Sequence, residues 1–388
     1  MTKPERLLAS IQKDPDLPTL VFFCCIHGNE RAGLVALQSF FEHIENFSDH
    51  IQGNIYAIFG NQEAYLREHR YIDKDLNRIW TKSHLQESTK GGNVAEYHEM
   101  TEIYNMLYGI LNAAKSDVYC IDLHTTSGPT KPFIIMNDAL SNRAFVRNLG
   151  YPVIFNVESF IEGSLLNLLN DLGHVSMAFE GGEHYSQNSV KEIKVFCYKA
   201  LYHTGMVSAE MLLEMGISVT YFKSKAARYF EMIFRQDLKP NDRFEMLGNY
   251  LNFQKLKKGD RIAKLNERSI IAPKSFQIFM PLYQSKGEDG FFYVQRISKI
   301  KLKIARIFRN LRFENILLVF PGVNKPNFYT LVIPRPIVKF IPKRFLFALG
   351  YRKSIEVNNQ HICFTKQERK LRKLPKLESF VSPYQNVT

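Results

Sequence analysis

Long apolar runs are missing from this chain of 388 residues, and so is any paired-cysteine pattern. No stretch approaches the roughly 18 apolar residues that cross a bilayer, so a membrane-spanning helix is not expected. The opening MTKPERLLASIQKDPDLPTL carries neither an apolar core nor a small-residue cleavage site, and no signal peptide is expected. Cysteine is scarce and odd in number, with five residues (24, 25, 120, 197, 363) and no CxxC spacing. That excludes a disulfide framework and predicts reduced, mostly buried thiols in a cytoplasmic protein. Cys24 and Cys25 read as small buried hydrophobes rather than metal ligands.

Acidic residues are the next shortage, and it is local. Residues 291–388 hold 20 Lys+Arg against 4 Asp+Glu, whereas 1–290 hold 31 against 34. The net charge of +13 therefore belongs to the C-terminal quarter alone. That shift marks a boundary and bears on partners. With 45% hydrophobic and 23% charged residues the remainder is ordinary globular material, long enough for two or three domains.

From 19 to about 215, short β-rich runs alternate with helical stretches. Strands are expected at 19–26, 54–59, 117–123, 132–136, 152–156 and 175–180, and helices at 30–46, 95–115, 140–149, 162–172 and 189–215. This alternation predicts an α/β sheet with helices on both faces and a ligand site at the strands' carboxyl ends. From 217 to 295 short β segments and turns such as KKGD, NER and APKS read as a small all-β module. The stretch 296–388 is a third region, opened by the basic amphipathic run RISKIKLKIARIFRNLRF.

Three blocks carry chemistry. His27 and Glu30 lie in HGNE (27–30) and His124 in DLHTT (122–126), each just past an apolar strand. A close ligand pair plus one distant ligand, with a fourth position open, suits zinc and hydrolysis by metal-activated water. Gly28 is expected to let the chain turn so that Glu30 faces the same metal. HxxE alone arises often by chance, so the combination carries the argument. Asp122, on the same strand face as His124, can hold a ligand imidazole in one tautomer. The second block, RYIDKDLNRIW (70–80), concentrates donors in Arg70, Asn77 and Arg78. They read as a carboxylate clamp with a carbonyl-polarising group, or else as a salt-bridge network with Asp73 and Asp75. The third is Glu180 in MAFEGGEH (177–184), a candidate proton carrier that spacing alone does not separate from Glu183 or His184.

Taken together, HGNE, RYIDKDLNR, DLHTT and EGG (180–182) resemble the succinylglutamate desuccinylase/aspartoacylase family of zinc carboxypeptidase-like hydrolases, over roughly 19–295. The resemblance implies one zinc ion per chain held by His27, Glu30 and His124, with Glu180 as general base and acid. It implies that Arg70 stabilises the oxyanion, while Asn77 and Arg78 hold the substrate's α-carboxylate. The implied fold is a carboxypeptidase-like mixed sheet flanked by helices (1–216), then a small β domain (217–295); the basic extension (296–388) lies outside the resemblance. The implied reaction cleaves a small N-acyl amino acid. A carboxypeptidase, another amide deacylase, or a binding protein acting through the extension are the alternatives.

Two departures qualify the resemblance. Aspartoacylases carry an arginine shortly before the catalytic glutamate, but residues 151–180 contain no Lys or Arg, and Asn170 stands near that place. A substrate with a neutral or differently charged side chain is expected rather than an acyl-aspartate. A β-domain tyrosine that reaches the substrate has two candidates, Tyr283 and Tyr293. The extension, 296–388, fits a peripheral membrane contact, an acidic-polymer contact, or an extra α/β element packed on the hydrolase.

Overall fold

The computed structural model describes residues 3–218, 222, 227–284, 287–368 and 373–380. Its first half alternates strands and helices: β1 (Leu7–Ile11), β2 (Thr19–Cys24), α1 (Ala32–Glu45), β3 (Asn54–Phe59), α2 (Gln62–Leu66), α3 (Lys82–Ser88) and α4 (Ala95–Ala113). Then follow β4 (Val118–Thr126), β5 (Phe133–Ile135), α5 (Leu140–Val146), β6 (Val153–Phe155), α6 (Leu165–Asp171), β7 (Val175–Glu183), α7 (Gln187–His203) and α8 (Ala209–Glu214). Strands β3, β2, β4 and β7 pair in parallel at the centre, and β1 adds antiparallel at the edge of β3. Every residue of β2 is buried, because helices cover both faces of a central parallel strand. On one face α1 and α7 pack through Phe22, Phe40 and Phe196; on the other α4 and α6 pack through Val21, Phe23, Tyr104 and Leu169.

The mixed, helix-flanked sheet is the expected one, with local differences. β1 was not anticipated, since LLASI is short and sits among charged residues. The helix expected over 189–215 is two, α7 and α8, because Gly205 adopts φ +77° past the end of α7 and turns the chain. The turn after β2 is made by Cys25, at φ 54°, rather than by Gly28. Gly28 is required for another reason: a Cβ there would lie 2.2 Å from the carbonyl carbon of Ala64.

The sheet does not stop at 216. β8 (Tyr229–Asp237) pairs in parallel with β6, and β9 (Phe244–Met246), β10 (Lys255–Leu256), β11 (Arg261–Leu265), β12 (Arg268–Ile271), β13 (Phe276–Phe279) and β14 (Asp289–Ile297) follow. β14, β13 and β10 extend the main sheet to eleven strands, while β9, β11 and β12 form a separate three-stranded sheet. No helix among the described residues is long and apolar enough to cross a membrane.

The extension begins with α9 (Lys299–Asn310) and continues through β15 (Asn324–Asn327), β16 (Thr330–Pro334), α10 (Arg335–Val338), α11 (Lys343–Ala348), β17 (Tyr351–Asn358) and β18 (His361–Lys366). Its four strands form an antiparallel sheet over Leu331, Ile333, Leu346, Tyr351 and Phe364. It is tied into the rest of the chain by buried charge. Asp138, fully buried after β5, accepts from Arg143 (2.8 Å), Arg309 (2.7 Å) and Arg352 (2.6 Å), the last two from the extension. Gln367 accepts from Asn137 and Asn170 at 3.0 and 3.2 Å, and Asn112 exchanges two hydrogen bonds with the backbone of Leu374.

Two outcomes test this framework. Asp138→Ala strands three guanidiniums and should cost about 3–5 kcal/mol in urea unfolding; a change below about 1 kcal/mol would mean the cluster holds nothing. Glu158 is buried beside it, and burial pushes its carboxyl up to about 7, with Arg352 opposing and Asp138 adding to the rise. Below about pH 4 the group is protonated in both states. As pH rises to 7 the unfolded chain releases that proton first, so stability falls by about 3 kcal/mol. Glu158→Gln should remove that loss, seen as a flatter stability profile from acid to neutral pH.

Candidate active site

The carboxyl end of the central sheet gathers the three predicted ligands. His27 follows β2, Glu30 closes the turn into α1, and His124 lies on β4; all three are buried. Nδ1 of His27 is 2.8 Å from Glu30 Oε1, and Nδ1 of His124 is 2.9 Å from Glu30 Oε2. The three ligand atoms lie within 4.8 Å of one another. The other nitrogen of each ring faces a carboxylate: His27 Nε2 is 3.1 Å from Asp75 Oδ1, and His124 Nε2 is 2.7 Å from Asp122 Oδ2. The Asp75 hydrogen bond orients the His27 imidazole, whereas Asp122 lies against His124 as a charge without a hydrogen bond; a carboxylate so placed raises an imidazole's basicity toward a metal. Glu30 is oriented as well, since the Thr125 backbone N–H donates to Oε2 at 3.0 Å.

The electrostatics point the same way. Burial alone would raise the Glu30 carboxyl, yet His27 and His124 hold it well below the usual carboxylate range. Burial works to lower His124, but Asp122 and Glu30 push it well above the ordinary imidazole value. Four buried carboxylates, Glu30, Asp75, Asp122 and Glu180, crowd this end of the sheet, balanced nearby by the guanidiniums of Arg70 and Arg78. The donor set therefore fits a divalent cation, bound through two imidazoles and one carboxylate.

Glu180 stands beside the ligands by strand register. On β7 it pairs with His124 of β4, so the two side chains leave the same sheet face. Burial pushes its carboxyl up to about 8, a rise opposed by His124 and increased by Glu30, and Oε2 has no hydrogen-bond partner. Glu183 points out to solvent and His184 bonds Thr125 Oγ1 at 2.7 Å, so the alternatives left open by spacing do not occupy this position.

Arg70, Asn77 and Arg78 line the same cavity of about 130 Å³ as the three ligands and Glu180. Their loop is pinned by a residue the sequence did not single out. Glu96, fully buried on α4, accepts from the backbone of Ile72 (2.7 Å), Asp73 (3.0 Å) and Lys74 (3.0 Å). Arg70 donates to Asp75 at 3.1 Å and lies 3.6 Å from Glu30. Asn77 Oδ1 accepts from the Leu165 backbone at 3.0 Å. Arg78 donates to Asp289 of the β module at 2.8 Å, and its buried Nε has no hydrogen-bond partner. Asp75 thus acts at the site, where the sequence suggested only a salt-bridge partner. Asp289 and its neighbour Glu288 carried no sequence signal.

Neither candidate tyrosine lines the cavity. Tyr283 is engaged with the backbone of Gly248 and Tyr250, and Tyr293 is stacked between Phe276 and Phe234. Asn170 is turned away, donating to Gln367; Leu166 of the same helix faces the cavity instead. Ile135, Val157, Ile161, Met232 and Phe292 complete an apolar wall.

Residues 16–187 match the family described as "Succinylglutamate desuccinylase/Aspartoacylase catalytic domain". Over this segment the chain is similar to the succinylglutamate desuccinylase/aspartoacylase family. A succinylglutamate desuccinylase of Pseudoalteromonas atlantica is 32% identical over 108 residues, 27% of this chain and 31% of that protein. A probable aspartoacylase of Nostoc is 32% identical over 118 residues, 29% of this chain and 36% of that protein. The chain thus spans about a third of the length of these curated relatives. The fold is similar to that of a succinylglutamate desuccinylase of Vibrio parahaemolyticus, with TM-score 0.56 at 15% identity over 74% of this chain and 84% of that one.

The arrangement predicts that Asp122→Asn weakens divalent-cation affinity by about 10–100-fold, measured by competition with a chromogenic chelator. Unchanged affinity would remove the carboxylate behind His124 from the site. Affinity should also fall as pH is lowered, because protonated His124 must lose its proton to bind a cation.

Proposed function

We propose that the chain is a zinc-dependent amidohydrolase that splits a small N-acyl amino acid whose acyl group is apolar. The observation that carries this reading is the convergence of His27, Glu30 and His124 within 4.8 Å, beside a buried Glu180. The similarity of residues 16–187 to a deacylase family supports it. Zinc held by these three side chains supplies a Lewis acid that polarises the scissile carbonyl and makes water nucleophilic near neutral pH.

The chain's own groups do the rest. Glu180 takes a proton from the attacking water and delivers it to the leaving nitrogen, so that water is divided between the acid and the amine. Glu180 would be held in its ionised form by a cation bound at His27, Glu30 and His124. Arg70, steadied by Asp75, places fixed positive charge where the carbonyl oxygen becomes negative. Asn77 and the unpartnered Nε–H of Arg78 receive the α-carboxylate.

Substrate preference follows from the lining. No Lys or Arg lies in 151–180. A second substrate carboxylate, as in succinyl or aspartyl compounds, would have no free cation opposite it in that segment. The wall built by Ile135, Val157, Ile161, Leu166, Met232 and Phe292 favours an apolar acyl group, at about 0.8 kcal/mol for each methylene buried.

Glu180→Gln should retain zinc, by elemental mass spectrometry, while kcat falls by about 10²–10⁴. The zinc-loaded enzyme should cleave butyryl or hexanoyl amino acids at least about tenfold faster, in kcat/KM, than N-acetylaspartate or N-succinylglutamate. Preference for the dicarboxylates would overturn the substrate assignment, and faster cleavage of dipeptides would make the enzyme a carboxypeptidase. Wild-type protein that binds no zinc would sink the reading altogether.

A further inference from the structure

The apolar surface of this protein is distributed very unevenly. Eleven of the 21 exposed large apolar side chains among the described residues lie between positions 300 and 340. The densest part is α9. Ile300, Ile304, Ile307 and Leu311 recur at helical spacing along one stripe and are 72%, 44%, 43% and 71% exposed. Such a stripe normally faces a core, and here the helix is held so that it cannot. Arg309, on the opposite face with Ala305, is buried in bonds to Asp138 (2.7 Å), Glu368 (2.6 Å) and the Ala348 carbonyl (3.0 Å). Rolling α9 inward would tear that guanidinium from its partners. Beyond the helix, Ile316, Val319 and Phe340 line one groove and are 53%, 82% and 81% exposed.

Charge identifies what covers it. Residues 296–313 contain seven Lys or Arg and no Asp or Glu, and Lys301, Lys303 and Arg306 are exposed beside the stripe. A second copy of the chain would set these cations against one another. Nucleic acid would satisfy the cations but leave the branched aliphatic side chains without aromatic stacking partners or a dry surface. An anionic bilayer offers both negative headgroups and a hydrocarbon boundary into which an amphipathic helix settles.

We propose that the exposed stripe of α9 docks on an anionic phospholipid membrane, with α9 lying in the plane of the interface. The hydrolase then works at the membrane surface without spanning it. The inference stands independently of the substrate, because none of these side chains lines the cavity at His27, Glu30 and His124.

Flotation of the full chain with vesicles tests it. Binding is expected to vesicles containing about half phosphatidylglycerol in phosphatidylcholine and not to phosphatidylcholine alone, declining as salt rises from about 0.05 to 0.5 M. Ile304→Glu with Leu311→Glu should weaken binding by more than about tenfold, and so should Lys301→Glu with Lys303→Glu, which leaves the apolar stripe intact. Both double variants should keep the wild-type circular dichroism and cation affinity. Absence of binding to phosphatidylglycerol vesicles at low salt overturns the proposal, as does binding unchanged in both variants. A lipid-free oligomer that dissociates in the Ile304/Leu311 variant assigns the face to a second copy and likewise overturns it.

Discussion

Negative charge withheld from water is the constraint on which this structure turns. Glu30, Asp75, Asp122 and Glu180 are buried close together at the end of one sheet, where ionised carboxylates are costly unless something positive answers them. The imidazoles of His27 and His124 answer Glu30, and Arg70 answers Asp75. Glu180 is left with an unpartnered oxygen and is the carboxyl pushed up toward neutrality. One carboxylate oriented by its partners and another left poised is the difference in environment that the proposed division between cation binding and proton transfer requires.

Holding such a cluster takes supports that touch no ligand. Glu96 collects three backbone N–H groups from the loop that carries Arg70 and Asp75, so the loop is fixed by a side chain two elements away. The extension supports the opposite wall. Asn137 lines the cavity and donates to Gln367, and its neighbour Asp138 is gripped by Arg309 and Arg352. What looks like an appended basic segment is therefore continuous with the packing behind the site.

The central strands were legible because a parallel strand covered on both faces must be apolar throughout, as LVFFCCI and VYCI are. The clustering of His27, Glu30 and His124 was legible because these residues sit beside those strands in short, characteristic runs. What escaped depended on long-range pairing. Asp75 and Asp289 look like ordinary acids until the fold sets them against His27 and Arg78. Arg309 and Arg352 read as surface charge within a basic run, and only their meeting with Asp138, 171 and 214 residues away, buries them. The continuation of the sheet across 216 rests on the pairing of β6 with β8, three residues on each strand, too little to leave a pattern.

The pairing of β4 with β7 reaches beyond geometry. Side chains alternate along a strand, so a slip of one residue would bring Phe179 or Gly181 opposite His124 and send the Glu180 carboxylate through to the far side of the sheet. A parallel ladder has almost the same backbone hydrogen bonds in either register, so the backbone is nearly indifferent to that error. What forbids it is the cost of driving a polar carboxyl group, without hydrogen-bond partners, into the layer where Phe179 stacks on Phe196. The aromatic packing under the sheet thus proofreads the placement of the acid above it, and a chain folded out of register would be a stable-looking sheet with no chemistry.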